Sequence, residues 1–205
     1  LEQAFRISLE QSRYVNVLSD LKTRGTLSRM RRDPDSVIDR SIASEIAIRD
    51  GARAVILPTV SEVGGKIRIS AEVVDPHTQS TVYAESAEGS GAQSLLVSID
   101  DVTMSLRGKL GEALASIDRD SAPLPDVTTD NLDALRAYAL GQKMFGQGKY
   151  EEAKGFYESA VKMDASFALA HIGLLRTHNA LDDLAGGVAH LRKAASLREH
   201  LPPRD

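Results

Sequence analysis

Five histidines, His77, His171, His178, His190 and His200, are the side chains best suited to ligate a metal or move a proton near neutral pH. None forms an i, i+4 pair with an adjacent Glu, the helical spacing that turns two imidazoles toward one zinc ion. They read as solvated or packing residues, and no metal site is expected. The chain contains no Cys, which excludes disulfides, thiolate-bound zinc, iron–sulfur clusters and thiol catalysis while fitting a reducing or an oxidising compartment equally well. Two carboxylate pairs, Glu45 with Asp50 and Glu72 with Glu85, invite an acid/base reading. The first is spaced along a helix surface, and the second is expected on the wet face of a sheet, so both read as structural. Glu88-Gly-Ser-Gly91 before a helix could cradle a phosphate, but it lacks the Gly-rich dinucleotide and P-loop patterns and reads as a strand-to-helix turn. Lys22, Arg24, Arg29, Arg31 and Arg32 make a basic stretch, yet Asp33, Asp35 and Asp39 follow at once and no interleaved aromatic could stack a base. No catalytic, cofactor-binding or metal residue is assigned, and no cofactor is expected.

Composition agrees with that reading. The 205 residues are 42% hydrophobic and 26% charged, the ordinary globular mix, and a net charge of -4 supplies no basic field for nucleic acid. Apolar runs fall far short of the ~18 residues that span a bilayer. The chain starts at Leu1 with no initiator Met or signal-like segment and ends Leu201-Pro-Pro-Arg-Asp205, so both ends read as cut and an excised piece is expected.

The elements follow from periodicity. Residues 1–12 carry apolar positions at helical spacing, Tyr14-Val-Asn-Val-Leu18 alternates like a short strand, and Ser19 or Asp20 can cap a helix over Leu21 to Met30. Pro34 stops that helix, another starts near Asp39, and Gly51 stands where a left-handed C-terminal cap belongs. From Ala52 the period drops to two. Residues 52–63 and 66–75 flank Gly64-Gly65, a two-residue hairpin turn, and residues 81–86 return as a third antiparallel strand. Ile67, Ile69, Ala71 and Val73 should be buried, Lys66, Arg68, Ser70 and Glu72 exposed. Leu95, Ile99, Val102, Leu106, Leu110, Ala113 and Ile117 then make one long helical stripe to cover the sheet. Residues 118–130, with Pro123 and Pro125 and no apolar period, read as a linker.

Beyond the linker the chain repeats itself. Tyr157, Ala160 and Met163 recur as Leu191, Ala194 and Leu197, each 34 residues on. Leu140, Gly141, Met144, Gly148, Tyr150, Ala153, Tyr157 and Ala160 alternate small and large as two crossing helices require, with Gly148 opening the turn between them. This pattern resembles the tetratricopeptide repeat. A second copy over Ala168 to Leu197 keeps Leu174, Leu191, Ala194 and Leu197, but has His171 at a usual aromatic position, Leu175 for the packing Gly and Gly187 for Ala153. Two copies are fewer than the ~3 such stacks need, so the array is expected to continue past residue 205.

Residues 39–88, with Gly51-Ala-Arg-Ala-Val-Ile56, Gly64-Gly65, Lys66-Ile-Arg-Ile-Ser-Ala-Glu-Val-Val-Asp75-Pro and Thr81-Val-Tyr-Ala-Glu85, resemble the TolB amino-terminal and FlgO-like α/β domain. The resemblance covers roughly residues 1–117 and implies a first strand missing from the front. Together with Phe5-Arg-Ile-Ser-Leu-Glu-Gln-Ser-Arg-Tyr-Val-Asn-Val-Leu18 and Asn131-Leu-Asp-Ala-Leu-Arg-Ala-Tyr138, the whole looks like the carboxy-terminal half of bacterial peptide modification system cyclases. That resemblance implies a nucleotide-cyclase domain and a membrane segment upstream, a periplasmic location (the cytoplasm being the alternative) and no catalytic residue in this region. The expected fold is therefore α+β: a mixed α/β sheet domain with antiparallel hairpins and covering helices over 1–117, a linker over 118–130, and an all-α tetratricopeptide array over 131–200. The expected function is a non-catalytic sensory or regulatory module of a bacterial signalling protein, a scaffold holding a peptide or protein partner in the repeat groove. The alternative is a small-ligand or enzymatic site in the α/β domain, which would show as a deep pocket with converging polar groups. Neither nucleic acid nor direct membrane insertion is expected; a homodimer through the exposed ends is.

Overall fold

A computed structural model describes residues 1–91 and 94–202. The protein is α+β, with one three-stranded antiparallel sheet and ten α-helices among the described residues. It divides into two compact units, Leu1–Ser121 and Ala122–Asp205.

In the first unit the local signals act much as their chemistry dictates. Helix α1 (Glu2–Glu10) buries Ala4, Phe5, Ile7 and Leu9. Helix α2 (Asp20–Arg29) starts where Ser19 Oγ accepts the Lys22 N–H. Helix α3 (Arg40–Asp50) starts where Asp39 Oδ1 accepts the Ile42 N–H, and it ends at Gly51, whose φ of 71° is a left-handed cap open to glycine at little cost. Leu27, Ile42 and Ile46 close α2 on α3.

Strands β1 (Val55–Val63), β2 (Lys66–Val74) and β3 (Thr81–Gly89) run in that order across the sheet. The β1–β2 turn is Gly64-Gly65, with φ of 59° and 74°, the pair of positive values that a tight hairpin matching strand twist requires. On β2, Ile69, Ala71 and Val73 are buried, and Ile67, nearest the turn, is half-buried. Helix α4 (Ser94–Lys109) packs on β2 and β3 through Leu96, Ile99, Val102 and Leu106, and α1 lies on α4.

Two expectations are corrected here. Tyr14 to Leu18 is not a strand: its backbone is satisfied by side chains instead, with Ser12 Oγ accepting from the Tyr14 and Val15 N–H groups and Arg6 Nη1 donating to the Leu18 carbonyl. The long stripe is not one helix either. It breaks at Gly111, φ 100°, where Gly111 N–H reaches the Gly108 carbonyl and Glu112 N–H the Arg107 carbonyl, the paired bonds that seal a helix end. Helix α5 (Leu114–Asp120) is separate and buries Ile117, whereas Ala113 is exposed. Residues 118–130 hold the end of α5 and all of α6 (Leu124–Val127), with Leu124 and Val127 buried, and the boundary between the two units falls among them.

The second unit continues with α7 (Leu132–Gly146), α8 (Tyr150–Met163), α9 (Ala168–Ala180) and α10 (Leu184–Ser196), closed by a 3₁₀ turn at Arg198–His200. Sequential helices pack in turn, α7 on α8, α8 on α9 and α9 on α10. Asn131 Oδ1 caps α7 by accepting the Asp133 and Ala134 N–H groups.

Candidate functional site

The carboxylates proposed for acid/base work are each committed to a cation. Glu45 pairs with Arg49 and Asp50 with Arg29, while Thr26 Oγ1 also donates to Asp50. Glu72 accepts from Arg40 and from Thr81 Oγ1, bonds that hold its carboxyl below the usual range. Glu85 corrects the sequence reading. It sits opposite Ala71 in the sheet register and therefore shares the covered face with that residue, where Lys109 of α4 pairs with it and lowers its carboxyl. The face was misassigned because β3 carries a polar residue at a position the sheet turns toward α4. Glu72 and Glu85 thus lie on opposite faces and cannot act on one substrate atom. In the Glu88–Gly91 turn, β3 runs to Gly89, Gly91 takes a φ of 76°, and Ser94 Oγ donates to the Gly91 carbonyl. The basic stretch is tied down by Arg24 to Asp35 and Arg29 to Asp50.

The most strongly buried ionic group was not anticipated. Arg107 and Glu112 form a bidentate pair, Nε to Oε2 at 2.9 Å and Nη2 to Oε1 at 2.8 Å, with both side chains under 5% exposed. Ser12 Oγ donates to Glu112 and Arg107 Nη1 donates to Ser121 Oγ, so every charge is met by further hydrogen bonds. The guanidinium beside it holds the Glu112 carboxyl below its ordinary range. The pair is closed to solvent and joins the segment after α1, helix α4, the turn after α4 and the C-terminal end of α5; its chemistry is structural.

In the helical unit, Tyr157 of α8 is fully buried between two glycines. A Cβ at Gly141 on α7 would stand 2.6 Å from the ring, and one at Gly173 on α9 also 2.6 Å. The second wall, Gly173, was not singled out by the repeat pattern. Tyr157 Oη donates to Gln142 Oε1, whose Nε2 donates to Tyr138 Oη, and burial raises the Tyr157 phenol well above its usual range. Tyr138 in turn lies 5.0 Å from the Phe167 ring. Ala153, Ala160, Leu174 and Ala194 are buried as well, and Met144, Tyr150 and Leu197 are half-buried. Leu140 and Leu191, expected to pack, are 38% and 51% exposed. The reason is visible at Leu191: Tyr157 is closed by α7 and α9 from two sides, while α10 packs extensively on α9 alone among the described residues.

The α7–α8 and α9–α10 turns are copies. Gly148 has φ 74°, with Gly148 N–H to Phe145 O and Lys149 N–H to Met144 O. Asp182, 34 residues on, has φ 59°, with Asp182 N–H to Asn179 O and Asp183 N–H to His178 O. Three of the five histidines, His171, His178 and His190, come together on α9 and α10, an arrangement no local spacing announced because one ring comes from a different helix.

An open hollow of about 400 Å³ lies within the second unit, lined by Asp126, Thr128, Asn131, Asp164 and His200 among others. Of its acidic groups, Asp164 accepts from the Ser166 N–H and Oγ. Among the described residues no three His, Cys, Asp or Glu side chains are disposed to hold a metal ion, and no helix is long and apolar enough to cross a membrane. No family model, curated protein or solved structure matches the chain.

Proposed function

We propose that the chain is a non-catalytic regulatory and protein-interaction module, its helical unit a tetratricopeptide array that receives a peptide or protein and its sheet unit a TolB amino-terminal/FlgO-like domain that senses or transmits. The observation that carries this reading is the turn repeated at 34 residues: Gly148 and Asp182 share a positive φ and the same two terminating hydrogen bonds. A tandem of helical hairpins at that period stacks into an extended surface suited to a ligand helix or strand. Support also comes from Glu45, Asp50, Glu72 and Glu85, the candidate acid/base groups of the sheet unit, each of which is paired with a cation. On the resemblance to peptide modification system cyclases, the compartment is the periplasm, beside a membrane-anchored cyclase whose output the module adjusts; the cytoplasm is the alternative.

The test is to capture partners with the full chain and map hydrogen exchange with and without the partner bound. Protection confined to α7–α10 is expected. Protection centred on β1–β3, or turnover of a nucleotide by the purified chain that is lost in a Glu72→Ala/Glu85→Ala control, would overturn the proposal.

A further inference from the structure

The α9–α10 hairpin contains a stack of three imidazoles. His171 and His178 are two turns apart on α9, and the His190 ring from α10 lies 5.4 Å from each, tilted by 30° and 22°. The partners fix every tautomer. The Ala165 carbonyl can only accept, so His171 Nε2, 3.2 Å away, carries its proton and His171 Nδ1 is a bare lone pair. His190 Nδ1, 3.1 Å from that lone pair, must therefore be the donor. His178 Nδ1 donates to Asp183 Oδ2 at 2.8 Å.

This arrangement accepts protons poorly. A proton on His171 Nδ1 would face the His190 N–H at 3.1 Å, turning a hydrogen bond into a contact between two donors on two rings. A proton on His190 Nε2 leaves the bond but sets a charge between the other two rings. Lys154 of α8 and Lys193 of α10 oppose such a charge, while Glu158 of α8, Asp164 after α8 and Asp183 at the start of α10 favour it. Helix α10 is held mainly by α9, with Gly187 and Ala194 its buried residues and Leu184, Val188 and Leu191 exposed.

We propose that the His171–His190 pair at the centre of this stack is an acid-sensitive latch, which fastens α10 to α9 while these two rings are neutral and releases it on protonation. The inference is independent of any partner for the helical unit. Burial, as the leading cause, holds His171 and His190 below their ordinary value of 6.5, and neighbouring cations deepen the effect. Released rings regain that ordinary value, so the open form binds more protons over the interval below it. The latch is at full strength above about pH 6.5 and weakens as pH falls through the interval down to the lowered values. Each ring shifts the open-to-closed ratio by up to about tenfold per pH unit there, and two rings by up to about a hundredfold.

Amide hydrogen exchange of the full chain at about pH 7.5 and 5.5, corrected for intrinsic rates, reads this directly. Protection of α10 should fall at least about tenfold relative to α7 and α8. In a His171→Asn/His190→Asn variant, which keeps an acceptor and a donor of similar reach but cannot titrate, α10 should respond like α7. An α10 that holds its protection in the wild type, or loses it equally in the variant, overturns the proposal. Should the variant not fold, imidazole ¹⁵N spectra of the wild type decide. The Nε2–H tautomer for His171 and the Nδ1–H tautomer for His190, both titrating below 6.5, are expected; the opposite tautomers, or ordinary titration with α10 intact, overturn it.

Discussion

Replacing Gly141 by Ala separates packing from helix propensity, because the two act in opposite directions. In a helix interior Ala is better than Gly by about 1 kcal/mol. At Gly141 the added Cβ would lie 2.6, 2.7 and 3.0 Å from Cε1, Cδ1 and Cζ of Tyr157, when carbon pairs normally rest at about 3.5–4.0 Å. The ring must retreat by roughly 1 Å on that comparison. Its retreat is limited, because on the opposite side the ring lies so near the Gly173 backbone that a Cβ there would stand 2.6 to 2.8 Å from the same atoms, and its hydroxyl is bonded to Gln142. Overpacking of this kind costs about 1–3 kcal/mol, so after the propensity gain the variant should lose about 1–2 kcal/mol. Urea unfolding followed by far-UV circular dichroism and tyrosine fluorescence measures it. In a Tyr157→Leu background the clash is gone and Gly141→Ala should turn neutral or stabilising, a coupling of about 2 kcal/mol between the two positions. A stability gain in the wild-type background, or no coupling, would refute the wedged-ring argument.

Other substitutions bear on different features. Gly155→Ala, exposed in α8 with open space at its Cβ position, should stabilise the helical unit by about 0.5–1 kcal/mol in the same urea assay. Asp182→Gly should relieve a left-handed residue and add about 0.5 kcal/mol, whereas Asp182→Val should subtract ~1 kcal/mol or more, both read as shifts of the urea midpoint. Arg107→Met strands a buried carboxylate and should cost about 3–5 kcal/mol, while Arg107→Met/Glu112→Leu should recover much of it; calorimetry of both variants checks the order. Because Glu112 is held below 4.5 in the fold, the stability it provides is present above pH 4.5 and is lost as pH falls through its lowered value, a loss the double variant should not show.

Features written into adjacent residues were legible in the sequence. The Gly64-Gly65 hairpin, the Asp39 cap and the Gly51 and Gly148 turns each depend on one backbone conformation that few residues adopt, so the residue announces the structure. Tyr14 to Leu18 misled because alternation marks a strand only if a neighbour offers a ladder, and Ser12 and Arg6 took those backbone groups first. The break at Gly111 was masked by an apolar stripe that continues through it, although the glycine itself was a C-terminal signal. The Arg107–Glu112 pair, five residues apart, was hidden by the same missed break, whereas the double glycine wall around Tyr157 and the histidine stack were invisible for another reason. Each joins residues whose meeting depends on how helices pack, and no local period encodes that.

The polar seam between α1 and α4 has a kinetic consequence. Ser8 bonds Asp100 and Thr103 across 92 and 95 residues, and Ser12 bonds Glu112 across 100, nearly the whole of the first unit. Contacts of such sequence separation demand loop closure before they return any stabilisation, so they belong late in folding. The hairpin β1–β2, closed by two residues, can form long before α1 has found its place. Until then Glu112 keeps one fewer hydrogen bond, and the apolar side of α1, from Phe5 to Leu9, stays in water. The first helix in the chain is thus among the last to dock, and the rate of that final closure governs how long the folding chain presents an uncovered surface to its neighbours.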